Sequence, residues 1–221
     1  MPHAWLPHRK GPPLTPGRIW RRGRELLHDG GPSALAFTML ADLGYGRLLL
    51  LERFLDEPIA PVTASVPVSF SMLEPGEIDE YLRFYGEYPR ADLEERLARG
   101  DTGFVARHEG RIICASWTSR TVRYFTTLGC RYAPGPSEVY LYDSFTHPAF
   151  RGLAIAPALG VHVLERLRGA GITRATMAVS VQNLANRHAR AKTGFRPYER
   201  MDYLRLGRRA WHWHRTVTGR S

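Results

Sequence analysis

Hydrophobic and polar positions alternate along much of the chain from residue 66 onward. Alternating positions and short apolar runs are typical of strands, and they predict strands over 66–73, 103–122, 138–146, 173–180 and 195–217. The long stretches 103–122 and 195–217 are each predicted to be a hairpin, turning at Glu109-Gly110 and around Gly207.

Helical spacing of the hydrophobic residues separates these predicted strands. It predicts helices over 75–88, 90–100, 154–169 and 183–194, with Gly100 and Gly194 in the position where helices often end. The third helix is the most regular, since its hydrophobic residues recur every four positions at Ile155, Leu159, Val163 and Leu167. Strands and helices in this order predict an α/β (α+β mixed) fold, a mixed sheet flanked by helices.

The first 65 residues have a different pattern. Residues 1–17 are rich in proline, glycine and basic side chains and are predicted to be a mobile basic tail. Residues 18–65 are predicted to be an N-terminal helical extension with a linker, in which 47–55 forms a strand or a short buried helix. The main domain is then expected to span 66–221.

Composition narrows the classes of protein. With 43% hydrophobic and 24% charged residues, the chain is expected to be globular rather than disordered. The net charge of +10 favours a nucleic acid, an anionic membrane or a phosphate-bearing cofactor as partner. However, Lys10 and Lys192 are the only lysines, so the charge also reflects a general preference for arginine. Two cysteines without disulfide or metal spacing favour a cytoplasmic location, and no apolar stretch is long enough for a membrane span.

One stretch, 147-HPAFRGLAIAPALG-160, carries candidate chemistry. It lies where a predicted strand passes into a predicted helix, and its small residues would let an anion approach the backbone. The first amides of a helix have no intrahelical partner and carry partial positive charge, as a phosphate site requires. In isolation, the same residues are also typical of a tight, closely packed turn.

In its surroundings, this stretch resembles the loop of the GCN5-related N-acetyltransferase (GNAT) superfamily, V-x-P-x-x-R-G-x-G/A. Residues 146–156 match that pattern, although Ala149 replaces the usual Gln or Arg. Asn183, Asn186, Gly194 and Phe195 fit the family's later N-x-x-A/S-x(7)-G-F helix. The resemblance covers about residues 66–206, and it implies a central mixed sheet of about seven strands flanked by helices.

The resemblance implies an acyl-CoA-dependent N-acyltransferase that transfers an acetyl group from acetyl-CoA directly to an amine, without a metal. The expected cofactor-binding residues are the loop and strand end before the helix together with two asparagines: Phe145, Thr146, Arg151, Gly152, Leu153, Ala154, Ile155, Ala156, Asn183 and Asn186. The backbone amides of Phe145 and Thr146 are expected to hold the thioester carbonyl. Asn183 could equally be a helix N-cap.

Candidate catalytic residues are Glu138, Asp143 and Arg190. Glu138 and Asp143 are the carboxylates on the strand before the loop, and either could remove a proton from the amine, with a slight preference for Glu138. They face opposite ways on a regular strand, unless a bulge intervenes. Arg190 stands where many family members have a Tyr that acts as the general acid for the leaving thiolate. Arginine is a poor proton donor, but Arg190 could stabilise a thiolate or bind phosphates.

Several alternatives stay open from the sequence. The departures at Ala149 and Arg190 permit a degenerate member that binds CoA or a partner without catalysis, and the charge alone permits a basic RNA-associated protein. The acceptor could be a small molecule, a peptide or protein, or an aminoacyl-tRNA. A monomer or a homodimer is compatible with the sequence.

Overall fold

The computed structural model describes residues 44–86, 88–125, 130–206 and 209–217. The basic tail predicted over 1–17 and the helical pattern over 18–43 lie outside these residues.

Ten strands and four helices make up the described chain. The strands are β1 (Tyr45–Phe54), β2 (Ser69–Met72), β3 (Thr102–His108), β4 (Arg111–Ser119), β5 (Arg123–Phe125), β6 (Cys130–Tyr132), β7 (Glu138–Thr146), β8 (Arg174–Ser180), β9 (Arg196–Leu206) and β10 (Arg209–Thr216). The helices are α1 (Ile78–Tyr85), α2 (Arg90–Ala98), α3 (Ile155–Gly169) and α4 (Leu184–Lys192), with 3-10 turns at Pro75–Glu77 and Pro148–Phe150. The predicted hairpins and helices from residue 66 onward are therefore confirmed within a few residues.

Eight strands form one mixed sheet in the order β10-β9-β1-β8-β7-β4-β3-β2, and β5 and β6 form a separate pair. The prediction of a mixed sheet flanked by helices is confirmed, with one strand more than the seven expected. The additional strand is β1, which comes from the segment 18–65 that the sequence pattern places in the N-terminal extension. It lies inside the sheet, antiparallel to both β8 and β9.

A hydrophobic cluster covers each face of the sheet. On one face, α3 buries the residues of its predicted stripe, Ile155, Leu159, Val163 and Leu167, against the sheet. On the other face, Tyr81 of α1 and Leu93 of α2 pack against Trp117 of β4. Val139 and Leu141 of β7 belong to the α3 face, and Tyr140 and Tyr142 belong to the α1–α2 face.

Among the strands of the described residues, β7 and β8 are the only parallel neighbours, and they separate soon after they begin. They pair at three positions, from Glu138 opposite Arg174 to Tyr140 opposite Thr176. Beyond these, β7 stays paired with β4 and β8 stays paired with β1. We call the gap between 141–146 of β7 and 177–180 of β8 the fork; it opens toward the start of α3.

Among the helices of the described ranges, none is both long and apolar enough to cross a membrane.

Candidate active site

The loop between β7 and α3 is built on two residues with left-handed backbone. Gly152 has φ of +83°, and Ala154, which directly precedes α3, has φ of +56°. Positive φ is easy for glycine and costs other residues about 1 kcal/mol or more, so this loop conformation carries a cost that packing must offset. One such contact is a hydrogen bond from the Ser65 amide to the carbonyl of Leu153, 2.9 Å long.

This loop presents backbone rather than side chains at the start of α3. Arg151 and Gly152 are exposed, and a Cβ placed on Gly152 would meet no atom within 4 Å. The amides of Ile155 and Ala156 lie in the first helical turn, where no intrahelical carbonyl is available, and Pro157 has no amide to donate. Open space, free amides and the positive end of a 15-residue helix fit a diphosphate group.

A β-bulge interrupts β7 just before the loop. Ala115 lies opposite Phe145 and Trp117 lies opposite Tyr142, so Ser116 faces two residues of β7, and Asp143 has φ of +47°. The extra residue reverses the alternation of side chains. Asp143 consequently points to the α1–α2 face, the same face as Glu138, as the bulge considered in the sequence analysis would require.

Asp143 is held by two partners on that face. Its Oδ2 lies 2.6 Å from Nη1 of Arg96, and its Oδ1 accepts a 2.7 Å hydrogen bond from the hydroxyl of Tyr85. The guanidinium of Arg96 lies over the rings of Tyr88, Trp117 and Tyr142, with its carbon 4.9 to 5.2 Å from their centroids. Burial alone would lower the pKa of Arg96, but the charge of Asp143 together with the neighbouring Tyr142, Tyr88 and Tyr81 outweighs it and keeps that pKa above its usual value.

Glu138 lies at the opposite end of the same strand. Its Oε1 lies 2.6 Å from Nη1 of Arg174, and its Oε2 accepts a 3.1 Å hydrogen bond from the amide of Gly135. Eight residues separate Glu138 from Thr146, which corresponds to about 25 Å of strand. The two predicted carboxylates are therefore not brought together, and Asp143 is the one beside the loop.

Phe145 and Thr146, whose amides are expected to hold the thioester carbonyl, are the last two residues of β7 before the loop. The Phe145 ring packs against Phe84 and Tyr85 of α1, with centroids 5.4 and 4.8 Å away. The Thr146 hydroxyl lies 3.2 Å from the thiol of Cys114 on β4. Burial raises the pKa of Cys114 to about 11, so it stays a neutral thiol at neutral pH.

The asparagines and Arg190 of α4 form a connected set. Asn183 Oδ1 accepts a 3.0 Å hydrogen bond from the amide of Asn186, so Asn183 is the N-cap of α4. Asn186 Oδ1 in turn accepts a 3.1 Å hydrogen bond from Nε of Arg190. Arg190 is 3% exposed. Thus α4 directs one charged side chain inward, toward the face covered by α3.

The sequence does not predict the contacts of Asp143. Arg96 and Tyr85 lie on helices whose hydrophobic spacing marks both positions as inward-facing, but spacing does not identify their partner 47 or 58 residues away. The hydrogen bond between Asn186 and Arg190 had a sequence signal, since residues four apart on a helix are neighbours.

No metal cluster was predicted. In the part of the chain that the structure describes, no three His, Cys, Asp or Glu side chains are grouped as ligands.

The fold and loop were compared with known proteins. The model of the acetyltransferase (GNAT) family matches residues 71–195. No curated protein matched the chain.

Solved structures with a similar fold are distant in sequence. A GCN5-related N-acetyltransferase from Sphaerobacter thermophilus has a TM-score of 0.54 and 13% identity over 77% of this chain and 55% of its own. A tandem GNAT protein of the clavulanic acid biosynthesis pathway has a TM-score of 0.53 and 16% identity over 84% of this chain and 59% of its own. A GCN5-related glucosamine N-acetyltransferase region of a fungal multi-domain β-N-acetylglucosaminidase has a TM-score of 0.53 and 15% identity over 84% of this chain and 23% of its own.

This chain spans less than two thirds of the length of each of those proteins. At such identities the similarity establishes the fold. The family model, which matches more than half of the chain, establishes more: the protein belongs to the GNAT acetyltransferase family.

Proposed function

We propose that the protein transfers an acetyl group from acetyl-CoA to an amine. The observation that carries this proposal is the fork between β7 and β8, which ends at a helix N-terminus with open space above Gly152. A diphosphate at that N-terminus would direct the remainder of CoA into the fork, toward Phe145, Thr146 and the bulge at Asp143. The loop residues from Arg151 to Ala156 would hold the diphosphate.

The chemistry requires little more than positioning. The neutral amine attacks the thioester carbonyl, and amides at the end of β7 stabilise the negative charge that develops on the carbonyl oxygen. The amine loses a proton to a carboxylate, directly or through water. We assign this role to Asp143 rather than Glu138, because Asp143 is two residues from Phe145, whereas Glu138 is seven residues, or about 23 Å, along the strand and is engaged by Arg174.

Two measurements test this function. Calorimetry should detect binding of acetyl-CoA to the full chain, and a thiol reagent should detect CoA release when the protein is given a panel of small amines, peptides and aminoacyl-tRNA. Absence of acetyl-CoA binding would show that the loop does not hold a CoA diphosphate, and the proposal would fail.

The second candidate is a family member that binds CoA without catalysis. Two departures favour it: Ala149 in the loop, and the tight engagement of both Asp143 oxygens by Arg96 and Tyr85. Binding of acetyl-CoA without turnover of any amine in the panel would support this alternative.

A further inference from the structure

Among the residues that the structure describes, Arg190 is a buried cation without a counter-charge. Two other arginines are nearly as buried, Arg53 at 6% and Arg96 at 7% exposure, and each forms an ion pair, with Glu57 and Asp143 respectively. Arg190 donates through Nε to Asn186, but among the residues described here no carboxylate lies within ion-pair distance of it. The hydrogen bond fixes the plane of the guanidinium and leaves Nη1 and Nη2 available to an anion.

Keeping such a group is costly to the fold. Burial lowers the pKa of Arg190 to about 10, so the side chain is still protonated at neutral pH. An unpaired buried charge is unfavourable by several kcal/mol, and groups held in this state are concentrated at functional sites. The missing counter-charge therefore indicates an anionic ligand.

The surroundings of Arg190 place it on the α3 face of the sheet, near the end of β7. Its Nη1 lies 3.7 Å from the position that a Cβ on Gly160 of α3 would occupy. Its charge also acts on the thiol of Cys114, and that thiol contacts the hydroxyl of Thr146. Arg190 thus lies one side chain away from the residue whose amide is proposed to hold the thioester carbonyl.

Two anions of CoA could reach this region: the diphosphate and the thiolate that forms when the acetyl group leaves. Gly160 follows Ile155 by five residues, or about 7.5 Å along the axis of α3. The diphosphate is proposed to bind the amides at the start of that helix, about one and a half turns away from Gly160. The thiolate sulfur, at the inner end of the fork, is therefore the anion of CoA that still lacks a cationic partner.

We propose that Arg190 is a catalytic residue that stabilises the departing CoA as a thiolate, and that Asn186 positions it. This inference rests on the proposed function. The amine nitrogen forms a bond to the carbonyl carbon, the carbon–sulfur bond breaks, and its electron pair stays on the sulfur beside the guanidinium. The proton of the new ammonium group leaves to Asp143 or water, so no protein group has to protonate the sulfur before it departs.

The test uses free CoA and therefore does not depend on the unknown acceptor. The ultraviolet absorbance of a thiolate reports the ionisation of CoA bound to the full chain, measured from pH 6 to pH 9 and corrected with desulfo-CoA, which lacks the sulfur. The titratable group acting on Arg190 in the described structure is Cys114, whose pKa of about 11 keeps it silent in this range. A cation within about 4–6 Å typically favours the anion at least tenfold. We expect the ratio of thiolate to thiol to be at least about tenfold higher for bound than for free CoA.

Three variants assign the effect. Arg190→Met should abolish the enrichment in thiolate but leave the affinity for desulfo-CoA within about twofold. Asn186→Asp should also reduce the enrichment, because a carboxylate would then neutralise the guanidinium where the amide oxygen now lies. Arg187→Met is the matched control; it removes one charge from the same helix, where Nη1 of Arg187 donates to the carbonyl of Val181, and it should keep the enrichment.

The outcomes separate this inference from the proposed function. Equal ionisation of CoA bound to the wild type and to Arg190→Met would overturn the role of Arg190 while leaving CoA binding intact. A large loss of affinity for desulfo-CoA in Arg190→Met would also overturn it, in favour of a phosphate-binding role. If the wild type bound no CoA at all, the proposed function itself would be wrong, and the inference would fail with it.

Discussion

At the scale of single residues, the pair formed by Asp143 and Arg96 combines a structural role with a proposed chemical one. Asp143→Asn would leave Arg96 charged and buried without its partner, which typically costs about 3–5 kcal/mol of folding free energy. Adding Arg96→Met should recover much of that loss, because no unpaired charge would remain. Urea denaturation of the two single variants and the double variant measures this coupling.

The same variants separate the two roles of Asp143. If Asp143 takes the proton of the amine, the double variant should be stable but still slow, by about 100-fold or more. Full activity in the stable double variant would assign Asp143 to the fold alone, and equal costs of Asp143→Asn in both backgrounds would show that the pair is not coupled.

Replacing Arg190, unlike replacing Asp143, should increase the stability of the fold while impairing the proposed function. The guanidinium has no carboxylate partner within the described ranges, so replacing it with an uncharged side chain of similar length removes an unfavourable term. We expect Arg190→Met to raise the stability of the ligand-free protein by about 1–3 kcal/mol, visible as a higher Tm. A lower Tm would mean that Arg190 stabilises the fold, and the argument for a ligand anion would lose its basis.

For these two charged residues, the sequence predicts a candidate role in the site but not the partners of the side chain. The sequence makes Asp143 a candidate as a carboxylate on the strand before the loop, and the family resemblance makes Arg190 one because it stands where many members have a Tyr. The partner of Asp143 is not predicted, because Arg96 comes from a helix 47 residues earlier and meets Asp143 through a bulge that moves the carboxylate to the other face. Residues 139–142 of β7 are apolar on both faces, so the extra residue that follows them leaves no signature in hydrophobic alternation.

At the scale of elements, the turn before α3 can be tested against a similar turn after it. Gly152 and Gly171 have φ of +83° and +79°, and a Cβ on either would meet no atom within 4 Å. Alanine at either position should therefore cost a similar amount, about 1 kcal/mol, through backbone strain alone. Only Gly152→Ala should also weaken CoA binding, because only that turn presents amides to the diphosphate. Calorimetry on both variants measures this, and equal CoA affinities would show that the turn at Gly152 does not contact the diphosphate.

The attachment of α1 to the sheet should depend on pH. Glu80 accepts two 2.7 Å hydrogen bonds from Arg107 on β3 and one of 3.1 Å from the amide of Ile112 on β4. Burial raises the pKa of Glu80, but the hydrogen bonds from Arg107 and Ile112 and the charges of Arg107 and Arg83 together outweigh it, so the folded-state pKa is below the usual value. The stability gained from the ionised carboxylate is complete above the usual pKa of a glutamate and is lost as the pH falls through the lower folded-state pKa.

Glu80→Gln measures that contribution. The variant should be less stable than the wild type by about 1 kcal/mol at pH 7, and the difference should shrink toward zero as the pH falls below the folded-state pKa of Glu80. Glu94→Gln is the control, because the Glu94 side chain is 53% exposed and its pair with Arg90 is long, at 3.6 Å. A difference for Glu80→Gln that does not change with pH would exclude the ionised carboxylate as its source.

At the scale of the whole molecule, the place of β1 could not be predicted from its own sequence. The run Leu48 to Leu51 shows no alternation because the strand is covered on both faces: Leu48 and Leu50 belong to one hydrophobic cluster and Leu51 to the other. A continuous apolar run is compatible with a buried strand or a buried helix. Its partners lie more than 120 residues further along the chain, where Glu52 faces Thr176. Local pattern therefore predicts the main sheet but not the strand that completes it.

The position of β1 inside the sheet requires the folded domain to begin before residue 66. Removing residues 1–65 would leave β8 and β9 without the strand that lies between them, and would expose the surfaces that bury Leu48, Leu50 and Leu51 at 4%, 1% and 4% exposure. We expect the chain that begins at residue 66 not to fold, although it contains all of the match to the family model. The chain that begins at residue 44 is the control, since it keeps β1, and a peptide of residues 44–65 added to the shorter chain should restore structure. Proton–nitrogen NMR spectra distinguish these outcomes. Dispersed signals and acetyl-CoA binding by residues 66–221 alone would show that β1 is an addition to a complete domain. Restoration of structure by the peptide would instead show that β1 is a required part of the sheet that contains the fork.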